Sequence, residues 1–520
     1  MKKTHQILLA VLSGILVCIS FPTLIAGVHL PEMGWVAWIA LVPLIIALRR
    51  ASPRRAFSLA FLSAIIWYGG SLFWVYRAMH TFGHLPAFTS LLVLLLLVLV
   101  VAAYTALAPM LARFIESRFR GELIVWLPAA WTAVEILRNY GPCNGFPWSN
   151  LAMSQWRLLP LIQIADLVGI YGIIFLIVWF NVMVAEIILK IRGEEVRFFI
   201  PKIAMTALLT VSVLCYGLIR LHTLPRSIAS FPSLSVGIVQ GNIAQEEKWD
   251  KEKASANLAI LRAGSKRLAD SGVEMIVWPE SSFPWPVETN NTQIDPIALG
   301  LVSGLGNTPY TLFGAISETP DGNYYNSALL FDGEGAVIGR YHKAHLVPFG
   351  EYVPYGKLLF FAKKLTQPVG NFIEGETSEP LVAGFNKAGI LICYEDIFPE
   401  IARNETLSGA GFFANLTNDA WYGVSSAPYQ HLALSVFRAV ENRRFLIRAT
   451  NSGVSAVVMP TGQTTVESGI FERALIVSPI AAIDTLSPYT LYGDWFAWAC
   501  VAYTIFGAMM AFVVKLKKRY

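Results

Sequence analysis

The stretch GILICYED, residues 389–396, decides how this chain folds. Its apolar opening, residues 389–392, is too short for a helix and has the composition of a strand buried on both faces of an α/β sheet. A thiol, a phenol and a carboxylate follow at once, as Cys393, Tyr394 and Glu395. In open α/β sheets reactive groups collect just beyond the carboxyl ends of strands, and two further strand ends carry such groups. A strand at 275–278 delivers Pro279 and Glu280, and a hairpin strand at 336–341 delivers His342 and Lys343.

A free thiol titrates near pH ~8.5 and is only a few per cent thiolate at neutrality, so a cysteine nucleophile needs a base and nearby positive charge. Glu280 can take the proton. Lys343 can stabilise an anionic tetrahedral intermediate, and the backbone N–H of Tyr394 is a candidate second oxyanion donor. Each residue also has a plain structural reading. A cysteine after a buried strand is usually core, a glutamate after Trp-Pro can cap a helix, and a lysine beside a hairpin is usually a solvated charge. It is their joint occurrence at three strand ends that favours chemistry.

The segment 226–490 around these residues alternates short apolar strands with polar helical stretches, an α/β pattern. Strands are expected at 235–240, 275–278, 311–316 and 389–392, and a helix at 248–269. Hairpins are expected at 328–341, across Asp332-Gly333-Glu334-Gly335, and around Pro460-Thr461-Gly462. Of the other cysteines, Cys18, Cys215 and Cys500 lie in apolar runs and Cys143 has no partner spacing, so neither a disulfide framework nor a zinc site is expected. His342 and His345 lack a third ligand nearby, and the Gly304/Gly306 pair lacks the rest of a dinucleotide fingerprint.

Outside that segment the chain is of another kind. Of 520 residues 55% are hydrophobic and 14% charged, with mean hydropathy +0.53, which excludes an ordinary soluble enzyme. Spans are read near 7–27, 34–49, 56–78, 87–113, 123–138, 166–189, 201–221 and 493–514, each judged against the ~20 apolar residues that cross a bilayer. Charge is segregated: residues 226–490 carry a net −7 and the remainder +12. The basic residues fall in alternate loops, at Lys2/Lys3, Arg49 to Arg55, Arg113 to Arg120, Lys190 to Lys202 and Lys515 to Arg519. By the positive-inside rule both termini are cytoplasmic and residues 226–490 lie across the membrane. The first span lacks an A-x-A-like cleavage site and reads as retained. The expected domains are a seven-span bundle at 1–225, a catalytic domain at 226–490, and a final span with a basic tail at 491–520.

Together VQGNI (239–243), KWD with Trp249, VWPES (277–281), YYNSALLF (324–331), YHKAHLVPFGEYVP (341–354), ICYED (392–396) and NLTNDAWYG (415–423) resemble the nitrilase superfamily. Within it, the ordered set and the eight-span frame resemble the apolipoprotein N-acyltransferases. The resemblance covers nearly the whole chain. It implies an integral membrane protein: a polytopic α-helical bundle with an inserted α-β-β-α sandwich, in a bacterial inner membrane with its catalytic domain in the periplasm. It further implies that Cys393 takes a fatty acyl chain from a phospholipid as a thioester and passes it to the α-amino group of a diacylglyceryl-cysteine lipoprotein. Glu280 is then general base and acid, and Lys343 the oxyanion stabiliser. Glu351 positions Lys343 or assists proton transfer, and Trp249, Tyr394 and Glu395 shape the pocket. No metal, nucleotide or redox cofactor is implied.

The triad alone leaves open a membrane-tethered amidase or nitrilase in which water resolves the acyl-enzyme. Apolar surroundings at Phe283-Pro284-Trp285 and Leu358-Leu359-Phe360-Phe361 suit a lipid chain better. A transporter would carry paired ionisable groups inside its spans, whereas Glu135 and Asp166 read as isolated. The stretch at 355–364, apolar at its centre and flanked by lysines, is expected to be a membrane-dipping arm.

Overall fold

The computed structural model describes residues 2–25, 28–30, 32–118, 122–141, 145–292, 309–348, 350–352, 372–376 and 379–517. Cys143, the Gly304/Gly306 pair and the expected arm at 355–364 lie outside the described residues. The chain forms two compact units. One comprises Met1–Tyr76, Pro86–Leu221 and Tyr492–Tyr520; the other comprises Arg77–Leu85 and His222–Leu491.

The first unit is helical. Four of its helices are long and apolar enough to cross a membrane among the described residues: Ala87–Glu116, Ala165–Ile191, Phe199–Ile228 and Trp495–Val514. Pro53–Ser71 with Trp74–Phe82, bent by 49°, makes a fifth if the pair is one span. Lys3–Ile19 and Leu123–Asn139 have 17 residues each, below the ~20 that a bilayer asks for. The span expected at 34–49 is broken into Gly34–Val36, Ala37–Ala40 and Val42–Leu48. Pro43, in the first turn of the last piece, cannot donate a backbone hydrogen bond. Asn181 mends the break: its Oδ1 accepts from Leu41 N at 2.8 Å and its Nδ2 donates to Ala37 O at 2.8 Å. A buried polar side chain thus replaces the helix bonds lost at the break.

Glu135 and Asp166 are not isolated, contrary to expectation. Arg138, one turn further along the same helix, reaches Glu135 at 2.6 Å, and both side chains are buried. Its Nη1 also donates to the Tyr68 hydroxyl and to Trp148 O. Asp166 accepts from the Tyr216 hydroxyl at 2.8 Å and pairs with Arg220 at 3.2 Å.

The second unit holds two sheets. From edge to edge the first runs Ala474–Ala481, Ser233–Gln240, Met275–Val277, Tyr310–Glu318, Tyr324–Phe331, Val337–His342, and Val287–Glu288 adds to Tyr310–Glu318. The second runs Thr464–Glu467, Ala456–Val458, Phe445–Thr450, Phe412–Thr417, Asn386–Ile392, Leu381–Ala383. Each has three central parallel strands flanked by antiparallel ones. The helix Ala254–Asp270 packs on the first sheet, and Pro399–Leu407 and Ala427–Asn442 pack on the second. The sheets face each other, so the order of layers is α-β-β-α.

Local sequence accounts for these elements. In Ala254–Asp270 the buried Leu258, Leu261, Ser265 and Leu268 recur at helical spacing, and Gly272 at φ 81° follows its end. The helix begins later than the expected 248, because residues 244–253 form successive turns, with Glu247 N on Ala244 O and Asp250 N on Glu247 O. The Asp332–Gly335 hairpin is closed by Asp332 Oδ1, which accepts from Glu334 N and Ala336 N. Between the sheets, Asn451 O and Oδ1 accept from Asn242 N and Ile243 N, and Asn451 Nδ2 donates to Ile243 O. Gln240 Oε1 accepts from Thr450 and Ser455 across the same seam. These bonds set how the strand ends of one sheet meet those of the other.

Candidate active site

The structure brings Glu280, Lys343, Glu351, Cys393, Tyr394 and Glu395 together at neighbouring strand ends. Glu280 follows Met275–Val277 on a segment folded back over Gly314: Gly314 N donates to Pro279 O, and Ser282 N and Phe283 N donate to Gly314 O. A Cβ at Gly314 would lie 2.6 Å from Glu280 Cα, so only glycine allows this approach. Lys343 follows Val337–His342 and is buried, with Nζ 2.9 Å from Glu351 and 3.8 Å from Glu280 Oε1. Asn326 bridges the two carboxylates, its Nδ2 donating to Glu280 Oε1 at 2.8 Å and to Glu351 Oε1 at 2.9 Å. Glu351 Oε2 also accepts from Val347 N. Burial works against the Lys343 ammonium, but Glu351 and Glu280 outweigh it and hold its pKa above the usual lysine range. It is a fixed cation.

Cys393 sits at φ 52°, in the left-handed region that a non-glycine residue enters at a cost of about 1–3 kcal/mol. Asn415 Nδ2 holds the bend by donating to Leu391 O and Cys393 O. Burial pushes the thiol well above its ordinary value, the Glu280 charge adds to this, and Lys343 opposes it. The resting sulfur is therefore protonated, and it becomes a nucleophile only as a base removes the proton.

Glu395, fully buried, accepts four hydrogen bonds: from Ala344 N and His345 N at Oε1, and from the Tyr341 hydroxyl and Ile392 N at Oε2. It ties the strand end that carries Lys343 to the one that carries Cys393. Burial raises its carboxyl to about 7, against the pull of Ile392 N–H, Lys343 and the Tyr341 hydroxyl. Tyr394 packs edge-on to Phe398, ring centroids 4.9 Å apart. Trp249 stands apart: it is 41% exposed, 6.0 Å from Lys248 Nζ, and no hydrogen bond ties it to the triad among the described residues.

Several residues here escaped the sequence reading. Asn326 was visible only as an amide on an otherwise buried strand. Behind Cys393 lies a buried charged cluster. His431 Nε2 meets Asp396 at 2.8 Å and its Nδ1 meets Asp419 at 2.9 Å, while Arg448 reaches the same two carboxylates at 2.6 and 3.0 Å. Arg448 Nη1 also donates to Asn415 Oδ1, so the cluster orients the amide that holds the bend at Cys393. Asp396 and Asp419 lie inside the ICYED and NDAWYG motifs, but their partners come from Ala427–Asn442 and Phe445–Thr450, and no spacing in the sequence pairs them.

The layered sheets and this strand-end constellation define a carbon–nitrogen hydrolase domain of the nitrilase type, preceded by an apolar helical region. Residues 235–485 match the Carbon-nitrogen hydrolase family model, and residues 13–183 match that of the Apolipoprotein N-acyltransferase N-terminal domain. The chain is 39% identical over 512 residues to the apolipoprotein N-acyltransferase of Geobacter metallireducens, covering 97% of this chain and 95% of that one. It is 31% identical to that of Gloeobacter violaceus, covering 95% and 94%. Among solved structures, Saccharomyces cerevisiae Nit3, of branch 10 of the nitrilase superfamily, is similar over 48% of this chain and 90% of its own, at 21% identity and TM-score 0.37. The chain belongs to the apolipoprotein N-acyltransferase family.

The cluster behind Cys393 gives a pH-dependent stability. Burial and Arg448 lower the His431 pKa, but Asp396 and Asp419 outweigh them and raise it above its ordinary 6.5. Burial raises Asp419, yet His431 and Arg448 bring it below 3.8. The stabilisation from charged His431 is thus complete below about pH 6.5 and is lost as pH rises through the raised value; that from Asp419 is present above about pH 3.8 and lost on acidification. Replacing His431 by Gln should cost about 3–5 kcal/mol at pH 6, and the loss should shrink as pH rises through the raised His431 value, read from denaturant midpoints of the catalytic unit in the detergent-solubilised chain. A loss that stays constant however far the pH is raised would mean that no titration of His431 is linked to folding.

Proposed function

We propose that this protein transfers a fatty acyl chain from a membrane phospholipid, through a thioester on Cys393, to the α-amino group of a diacylglyceryl-cysteine lipoprotein. The observation that carries this reading is the network of Glu280, Lys343 and Glu351, joined through Asn326, together with the buried thiol of Cys393 on which the Glu280 and Lys343 charges act, in a chain of this family. Glu280 takes the thiol proton as sulfur attacks the ester carbonyl. The tetrahedral oxyanion is met by Lys343 Nζ, which Glu351 holds in place, and by the Tyr394 N–H. As the intermediate collapses, the carbon–oxygen bond breaks, Glu280 returns its proton to the alkoxide, and lysophospholipid leaves. The amine then attacks the thioester, Glu280 accepts its proton, and the sulfur is expelled and reprotonated as the amide forms.

A protonated, buried thiol suits this cycle. It does not react until a substrate carbonyl and the base are both in place, and two apolar acyl chains enter a site where a free thiolate would be costly. A triad of this kind also allows water as acceptor; membership of a family of acyltransferases favours the amine. In this reading the chain crosses the bacterial inner membrane eight times, with a bundle at 1–225, a periplasmic catalytic domain at 226–490 and a last span at 491–520. Alternation of basic loops supports that topology, and the bend near Ser71 and the break near Leu41 account for two of the four helices that fall short of a straight span.

Purified protein incubated with acyl-labelled phospholipid should gain a hydroxylamine-sensitive adduct at Cys393, discharged as amide when a diacylglyceryl-cysteine peptide is added. Release of free fatty acid with no amide would instead indicate hydrolysis. Cys393→Ala should abolish the adduct, and Glu280→Gln and Lys343→Ala should each slow its formation at least about 100-fold. An adduct forming at the normal rate in Glu280→Gln would remove that residue from the mechanism. For topology, a reporter active only in the periplasm should work when fused near Asn291 and fail near Arg54. The reverse pattern, or activity at both positions, would overturn the orientation.

A further inference from the structure

The turns before Ala254–Asp270 bury an ammonium that the cycle above does not use. Glu247 N bonds Ala244 O, Asp250 N bonds Glu247 O, Lys253 N bonds Asp250 O, and Asn257 Nδ2 holds Glu247 O at 3.0 Å. These turns send neighbouring side chains opposite ways. Glu247 pairs with Lys253 outside, while Lys248 points inward, 7% exposed, and its Nζ donates at 2.8 Å to the main-chain carbonyl of Glu280. With Glu280, Ser281, Ser282, Asn257 and Asn451 it lines a pocket beside the base. The titratable groups acting on it are the Glu280 carboxyl and the Cys393 thiol, each at a strand end. From the adjoining helix and from the loop after Phe445–Thr450 the facing groups are the neutral amides of Asn257 and Asn451.

We propose that Lys248 is a positioning residue for acylation of Cys393: its ammonium pins the main chain of Glu280 and supplies the positive charge that balances the site as negative charge moves from sulfur to the oxyanion. The proposal rests on the reading that Cys393 is acylated with Glu280 as its base. A contact to a carbonyl alone would be served by a neutral amide or hydroxyl, and burying an ammonium for it carries a desolvation cost. Charge balance gives the ammonium its use. Glu280 and Glu351 bring two negative charges, of which Lys343 offsets one and Lys248 the other, while Glu395 is met by three N–H groups and a hydroxyl. Moving a proton from Cys393 to Glu280 leaves that balance unchanged. Without Lys248, the oxyanion would form in a buried site already holding excess negative charge, where little water screens it.

Burial lowers the Lys248 pKa to about 8, with Glu280 and Cys393 pulling the other way. The charge is therefore lost on the alkaline side, and acylation should be lost with it. The full-length protein in phospholipid nanodiscs is given acyl-labelled phospholipid, and the single-turnover rate of thioester formation on Cys393 is followed from pH 6 to 10. The wild-type rate should fall about tenfold per unit above pH ~8. In Lys248→Arg, whose guanidinium stays charged, that limb should move up by at least about one unit. In Lys248→Gln the rate should be at least about tenfold lower at pH 7, with the limb gone. A wild-type rate flat to pH 9.5, or an unmoved limb in Lys248→Arg, overturns the proposal, and the wild-type profile decides even where a variant folds poorly. A wild type that forms no thioester at any pH would defeat the acyl-enzyme reading itself, an outcome distinct from a thioester with an unmoved limb.

Discussion

The site depends first on one carboxylate that accepts four hydrogen bonds. Glu395 receives hydrogen bonds from the two main-chain N–H groups that follow Lys343, from Tyr341 in the strand before it, and from the N–H of the residue before Cys393. The cation and the nucleophile belong to different sheets, so nothing in either sheet's hydrogen-bond ladder sets their spacing. Glu395 sets it directly. A neutral amide could accept some of these bonds but would turn an N–H toward the remaining donors, leaving a buried group unsatisfied at about 1–3 kcal/mol. The demand for a two-oxygen acceptor at this point is therefore strict.

Behind that clasp the domain keeps charge where most folds keep hydrocarbon. Arg448, His431, Asp396 and Asp419 are all fully buried, and they are tolerable because each cation meets both anions. Their position matters more than their number. The cluster ends on Asn415, and Asn415 ends on the carbonyl of Cys393, whose left-handed backbone is the strained point of the site. Strain at the nucleophile and polar density behind it are two sides of one arrangement, since a softer apolar backing would let the bend relax and carry the sulfur away from the base.

Much of this was legible in the sequence, for a physical reason. Glu280 and Cys393 each follow a short strand buried on both faces, and such strands stand out as apolar runs ending abruptly in polar residues, whereas Lys343 follows a half-exposed hairpin strand. The hairpin at Asp332 was legible through its turn residues. Asn326 and Lys248 were not, because their meaning lies in partners 25 to 46 residues away that only the sheet register brings near. The early start expected for the helix before residue 254 failed for a related cause: Lys248 and Trp249 fit a helical pattern, but the buried contact to Glu280 outweighs local propensity. In the membrane part, hydropathy located the helices and missed their breaks. The span at 34–49 is interrupted by Pro43 together with an acceptor on Asn181, 140 residues away from Leu41.

The same contrast separates the two kinds of buried charge in this chain. In the helical unit Glu135 and Arg138 are one helical turn apart, so the pair forms as soon as the helix does and needs no tertiary register. In the catalytic unit Arg438 and Glu441 make a similar local pair, but the pairs behind Cys393 join residues tens of positions apart, and they form only when strands, the short turn after Cys393 and the helix Ala427–Asn442 have all assembled. Until then the carboxylates and cations are better left in water, so the charged core cannot nucleate folding and must be closed by the apolar sheets around it. Order of assembly then follows from energetics: the parallel strands Asn386–Ile392, Phe412–Thr417 and Phe445–Thr450 bring Asp396, Asn415 and Arg448 into line. Only that closure gives Cys393 the support its backbone requires. The geometry that makes the thiol usable is therefore a property of the completed domain, and a partly folded chain would carry an ordinary cysteine.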